Sequence, residues 1–405
     1  MISKQQTTLL ALLVTANLIG AGILAMPITS GLTGFYPSLL MMLLFAGGMF
    51  FSAIVLADEA NISKDSTFNY PSLYEKHLGK VGKWVAVAAN ILILYGLLTG
   101  YLAGGSKVIV NIFDIAPEWK SSILLALFLL LTTLTNTGMK FIKHYSMVTM
   151  VLLWVAFFTL VAISFDGIKE DHIGYTDWNY LPMAIPMIVT AFHFHNLIPT
   201  LCHDANWSKD IWKPLALGMA VGFVMNAIWI YVGIGVVPQF GDISLNSARL
   251  EGVPVTVQMS HILTTASFAI IGMIFSIIAI SNSYIANGVG LKDFSKDFLG
   301  NSFNIHNEWV IISIAFLPPL VISYFFADIF LSAISVAGGI GIVFLFGILP
   351  SIISLKKTKS KMMKAISIFF LIIFSITLVI TSLQTFGIIH LEPNAPQNIQ
   401  HSVAH

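Results

Sequence analysis

Apolar runs long enough to cross a hydrocarbon core about 30 Å thick recur from one end of the chain to the other, and they leave few folds open. Eleven are read, at 8–33, 36–57, 84–112, 121–137, 145–165, 181–201, 213–237, 256–288, 308–326, 328–353 and 365–389. Inside lipid every backbone N–H and C=O needs a partner within the protein, so uninterrupted runs of this length predict membrane-spanning helices. The fold class is therefore all-α integral membrane. A chain that is 57% hydrophobic and 10% charged, with a mean hydropathy of +0.86, lies outside the range of soluble domains. The lone cysteine, Cys202, allows no intramolecular disulfide.

Charge placement orients the spans. With the N-terminus cytoplasmic, sixteen of the twenty lysines and arginines fall inside, and only Lys107, Lys120, Lys169 and Arg249 fall outside. The tail at 391–405 has no basic residue and is expected to be external. Two polar loops are long, 58–83 inside and 165–180 outside. The first contains NYPSLYEKHLGKVGK, read as a short amphipathic helix on the membrane surface. The run KKTKSKMMK before the last span is read as a topology anchor near lipid headgroups.

Two spans carry breaks. Residues 17–27 read NLIGAGILAMP, placing Gly20, Gly22 and Pro27 inside the first span. Glycine is a poor helix former, and proline removes a backbone donor. Irregular backbone survives in a membrane only where it lines a protected cavity, although Gly-x-Gly also serves a close helix crossing. The sixth span, LPMAIPMIVTAFHFHNLIPT, holds Pro182, Pro186 and Pro199, with His193, His195 and Asn196 at mid-depth. Aligning Pro199 with Pro27 lays that polar cluster on the Gly20–Gly22 break. Broken spans five positions apart suggest two five-helix halves of opposite orientation, 1–165 and 181–353, with an eleventh helix at 365–389.

The string IGAGILAMP at 19–27 resembles the first-helix signature of the bacterial aromatic and hydroxy amino acid permeases. AIPMIVTAFHFHNLIP at 184–199 resembles their sixth-helix segment, and FLPPL at 316–320 and the LP at 349–350 also match. The likeness covers essentially the whole chain. It implies a LeuT-type fold, a bacterial inner membrane, and import of tyrosine, tryptophan, or serine and threonine, typically with protons. His195 matches the histidine of the family pattern. His193 and Asn196 stand where relatives usually have glycine, which opens the site to a smaller or more polar substrate.

A zwitterionic amino acid needs donors for its carboxylate and acceptors for its ammonium. The amides of Gly20, Ala21, Gly22 and Ile23, at the start of a half-helix, suit the carboxylate. Carbonyls near Ala16, Asn17 and Phe192 suit the ammonium. Tyr95 and Tyr101 lie about 240° apart on the third span, so at most one faces the site. The fold resemblance favours a tyrosine there, and Tyr95 is taken first, with a packing role as the alternative. Phe192 and Phe194 are candidates for a side-chain pocket, although most of thirty phenylalanines are packing residues. On a regular helix His193 and His195 point to opposite faces, about 200° apart. An ionisable side chain at mid-depth is a functional candidate by default, and His195 is placed ahead of His193.

No Asp or Glu lies at mid-depth, so histidine is the candidate proton carrier, with His195 first. Sodium is the alternative, held by Ser281, Asn282 and Ser283 with the carbonyls of Ala16 and Ile19; ordinary interhelical hydrogen bonding competes with it. No cofactor beyond the coupling ion, no metal site and no nucleic-acid partner is expected; the partners are an amino acid and the bilayer. The chain has no HExxH, GxSxG or Walker motif, which argues against an enzyme. The expected function is proton-coupled import of an aromatic amino acid by alternating access. A sodium-coupled or serine/threonine-type permease is the alternative, and a transporter-like membrane sensor a remoter one.

Overall fold

The computed structural model of the chain describes residues 2–64 and 69–389; the expected external tail at 391–405 lies outside the described residues. The first span is two helices, α1 (Lys4–Leu18) and α2 (Gly22–Gly31), meeting at 53°. The side chain of Ser3 caps α1 by accepting from the Gln6 amide at 3.1 Å. Glycine at 20 and 22 makes the bend; Pro27 sits inside α2, one turn beyond it. α3 (Phe35–Ser63) returns across the membrane. α4 (Tyr70–Ile112) is interrupted at Gly79, whose φ of 71° only glycine adopts without strain, so a short helix at 70–78 precedes the span at 80–112.

α5 (Lys120–Thr135) and α6 (Met139–Ser164) follow. The connection after α6 contains α7 (Glu170–Gly174), and its Asp177 amide donates to the Thr33 carbonyl at 2.9 Å, pinning it to the end of the first span. The sixth span is again broken: α8 (Leu181–Ala191), irregular residues at 192–194, a tight turn at His195–Leu197, and α9 (Ile198–Asp204). α10 (Trp212–Val236) leads to two short helices, α11 (Leu245–Glu251) and α12 (Val255–Leu263). α13 (Ala266–Phe303), α14 (Glu308–Phe325), α15 (Phe330–Val336), a π-helical stretch at Ala337–Ile348, α16 (Leu349–Lys357) and α17 (Lys361–Thr385) complete the chain.

The eighth span does not begin at 256 as its hydropathy suggests. Thr264 takes a left-handed φ of 50° and the Thr265 side chain caps α13, so 256–263 forms the separate helix α12. Among the described residues nine helices are long and apolar enough to cross a membrane, ten when the bent first pair counts as one. The remaining expected span is α5, at 16 residues about 24 Å long and short of a full crossing.

The broken spans form the centre, α2 packing against α8, with α4, α10 and α13 around them. α1 lies along α10 at a small-residue crossing: a Cβ at Gly218 would stand 2.6 Å from Val14 Cβ, and one at Gly222 2.5 Å from Leu18 Cδ1. Without a hydrophobic force between helices in lipid, such close contact is what holds them together.

Candidate functional site

At the first break the backbone is largely self-satisfied. Gly20 donates to the Asn17 carbonyl at 3.2 Å and Ile23 to the Gly20 carbonyl at 3.1 Å. Ala21 donates to Ser283 Oγ on α13 at 2.9 Å. Of the four amides expected to meet a carboxylate, Gly22 is the one without such an acceptor among the described residues. The freed Leu18 carbonyl accepts from Asn226 Nδ2 on α10 at 3.2 Å, and that amide also reaches the Gly222 carbonyl at 2.9 Å. Asn226→Leu removes the donor and leaves Leu18 O bare in a dry interior, a cost of about 1–3 kcal/mol. A lower unfolding temperature in detergent is the expected reading, and an unchanged one refutes the role.

At the second break the two imidazoles come together. His193 and His195 stack with centroids 5.7 Å apart and planes 6° apart, each also against Phe346, at 4.9 and 5.0 Å. A regular helix would have turned them to opposite faces; the irregular backbone at 192–194 turns them to one side. Ser52 Oγ of α3 lies 2.7 Å from His195 Nε2 and 3.1 Å from the Met49 carbonyl, so its hydroxyl bridges the imidazole and its own helix. His193 Nε2 and His195 Nδ1 are buried with no partner among the described residues.

Between the breaks lies a polar cavity of about 30 Å³, its wall including Asn17, Gly22, Tyr101, His193, Ser283 and Asn287. It has room for about one water, whereas ligand pockets run to roughly 300 Å³ or more. The space between the breaks is therefore too small for an amino acid. Gly20 and Ala21 also line it; Ile23 is buried behind them. Tyr101, not Tyr95, is the third-span tyrosine at the cavity, and its hydroxyl interacts with Ser283. Tyr95 donates to the Ile314 carbonyl at 2.6 Å and borders an apolar groove between α4, α14 and α15.

His193 lines the cavity while His195 stands behind it. Phe192 stacks on Phe223 at 6.1 Å and Phe194 packs against His195 at 5.2 Å; both are fully buried packing residues outside the cavity wall. The three α13 candidates diverge, as successive helix positions 100° apart must. Ser281 faces Tyr145, Asn282 accepts from Thr149 Oγ1 at 2.7 Å, and only Ser283 reaches the break. Ala16 and Ile19 lie at the end of α1, outside the cavity wall. Asn287 is a site residue the sequence reading missed. It donates to the Ser283 carbonyl at 2.9 Å and accepts from Asn196 at 3.4 Å. Its place one helical turn after Ser283 was the available signal.

Away from the cavity, the buried Lys107 ammonium at the end of α4 bonds Asp328 Oδ1 at 2.6 Å and the Glu251 carbonyl at the end of α11. Its hydrogen bond holds the Asp328 carboxyl below the usual carboxylate range. The described residues contain no group of three potential metal ligands.

The profile of the tryptophan/tyrosine permease family matches residues 4–388. The tyrosine-specific transport system 1 of Haemophilus influenzae is 29% identical over 342 residues, covering 81% of this chain and 82% of that protein. The tryptophan-specific transport protein of the same organism is 24% identical, covering 84% and 85%. Glutamine transporter 2 of Aliivibrio fischeri is 24% identical, covering 87% and 89%. The crystal structure of MhsT in complex with L-phenylalanine superposes with a TM-score of 0.60 at 18% identity, covering 95% of this chain and 98% of that one. That likeness shows a LeuT-type fold.

Proposed function

From the premise that this chain belongs to the tryptophan/tyrosine permease family, we infer that it is a proton-coupled importer of tyrosine or tryptophan working by alternating access. It is a transporter and not an enzyme, in keeping with its family and relatives. The observation that carries the reading is the meeting of two broken spans at one polar cavity.

The chemistry follows from the groups in that wall. The substrate carboxylate takes the Gly22 amide at the start of α2, where the helix dipole favours an anion, and the Tyr101 hydroxyl. The ammonium takes carbonyl oxygen near Asn17. His193, at the cavity with an unpartnered nitrogen, carries the proton, and His195 braces it from behind. Sodium coupling has less support, because Ser281, Asn282 and Ser283 do not converge. We place the N-terminus in the cytoplasm from the lysine distribution, and divide the repeats at 1–165 and 181–353.

Asn287, Asn196 and His193 favour a second reading, a small polar substrate, and one relative is named a glutamine transporter. Uptake of a radiolabelled amino acid panel into proteoliposomes, with proton and sodium gradients imposed separately, decides between them. Saturable tyrosine or tryptophan uptake driven by protons is expected. Uptake confined to glutamine selects the second reading, and uptake of no amino acid under either gradient sinks both.

A further inference from the structure

The helix at 70–78 does not lie on the membrane surface with its apolar face in lipid. Its inward residues Tyr70, Leu73 and Tyr74 are buried in the protein, and its outward face carries Lys76. The Tyr70 hydroxyl donates to the carbonyl of His195, inside the broken sixth span. The Tyr74 hydroxyl donates to the Leu345 carbonyl at 2.5 Å, inside the π-helical stretch of the tenth. Both acceptors belong to irregular segments; the His195 carbonyl also accepts from the Ile198 amide of its own tight turn, so Tyr70 gives it a second bond. Left dry and bare, the Leu345 carbonyl would cost several kcal/mol in the membrane interior. The far end of the helix is moored separately. His77 Nε2 lies 2.9 Å from Glu59 Oε2, Lys357 pairs with the same carboxylate, and Lys356 Nζ reaches the His77 carbonyl at 3.1 Å. Beyond the mooring comes Gly79, left-handed and with nothing within 4 Å of where a Cβ would stand.

We propose that Tyr70 and Tyr74 are positioning residues of the transport site, borne on a glycine-hinged helix that plugs the cytoplasmic path and withdraws when substrate leaves. With the helix in, the hydroxyls satisfy the two carbonyls in a dry interior. With the helix out, the path floods and water satisfies them instead, so neither state leaves a buried orphan. Through His195 the plug also bears on His193 at the cavity. The inference rests on the cytoplasmic placement of the 58–83 loop and on no particular substrate.

The chain's single cysteine supplies the probe. Cys202 on α9 is buried close to Tyr70, its Sγ 3.8 Å from the Ala57 carbonyl. Maleimide labelling of Cys202 is measured in everted membrane vesicles, where the cytoplasmic face is outermost. Losing one hydrogen bond of ordinary strength from the plugged state predicts roughly tenfold faster labelling in Tyr70→Phe and in Tyr74→Phe. Tyr95→Phe is the control, since it removes a tyrosine-to-carbonyl bond of the same kind outside the plug, and its labelling is expected to stay at the wild-type rate. Unchanged labelling in both plug variants overturns the proposal, and so does equal acceleration in Tyr95→Phe, which marks general loosening. Uptake by the wild type in right-side-out vesicles keeps the two readings apart: accelerated labelling in the variants with no amino acid uptake by the wild type supports the plug and removes the importer reading.

Discussion

Gly20→Val is expected to cut uptake by about a hundredfold while the protein still folds into the membrane, a loss typical of a site displaced by about an ångström. A Cβ at Gly20 would stand 2.5 Å from Ser283 Oγ and 3.1 Å from the Asn17 carbonyl. Ser283 Oγ is the acceptor for Ala21, so pushing it away frees an amide in the break and disturbs the Tyr101 contact as well. The two γ-methyls of valine would also fill a cavity of about 30 Å³. Gly22 is a useful contrast. A Cβ there meets nothing nearer than Ala191 Cα at 3.5 Å, an ordinary contact, so Gly22→Ala is expected to stay within a few-fold of wild type. Initial uptake rates normalised to folded protein in the membrane test both. A Gly20→Val protein that transports normally removes the break from the mechanism, and one that fails to fold makes Gly20 structural.

The sequence treats these two glycines alike, and the difference between them lies in what α13 and α8 bring opposite. That pattern repeats through the molecule. Apolar runs locate most spans because the bilayer constrains each helix separately. The breaks at 19–21 and 192–194 are legible because glycine, proline and mid-depth histidine are expensive locally. What depends on two segments meeting is not legible in this way. The stacking of His193 on His195 follows from unwinding that a helical-wheel argument assumes away.

The choice between Tyr95 and Tyr101 had a signal that went unused. Gly96, Gly100 and Gly104 form a stripe along α4, and a Cβ at each would strike α15 or the first residues of the π-helical stretch after it, at 3.0, 2.6 and 2.6 Å. The stripe marks one packed face. Leu97 and Tyr101, each one position past a glycine and so about 100° round, turn toward the cavity. Tyr70 gave no such sign. Its acceptor is 125 residues away in a break whose carbonyl direction no periodicity encodes.

The second large effect is expected outside the cavity, at Lys107. Its side chain is 5% exposed and joins three segments: the end of α4, the C-terminus of α11 and the turn before α15. Helices α11 and α12 in turn pack on α2, so this cation clasps the segment beside the first broken span to the end of α4 and the turn before α15. The negative end of the α11 dipole suits it. Asp328 is mostly exposed and its pairing is screened, so Asp328→Asn is expected to cost little. Its depressed pKa means the pairing is present above the ordinary carboxylate value of about 3.9 and is lost only as pH falls through the lower folded value. Above roughly pH 5 the Asp328 carboxyl therefore stays ionised, and its titration is not the source of any pH dependence of uptake there.

Lys107→Glu is different, because it sets a buried carboxylate against Asp328 and the Glu251 carbonyl. Leaving a buried charge unpaired costs about 3–5 kcal/mol, enough to open the clasp and reduce uptake more than about a hundredfold. Lys107→Met, which removes the charge without reversing it, should fall between. The decisive variant is the exchange Lys107→Glu with Asp328→Lys, which restores an opposite pair across the same gap and should recover part of the lost uptake. Recovery at low salt that fades at high salt would identify the ion pair itself, since a partly exposed pair is screened. If the exchange transports no better than Lys107→Glu alone, Lys107 acts through the Glu251 carbonyl and the Asp328 arm of the clasp is dispensable.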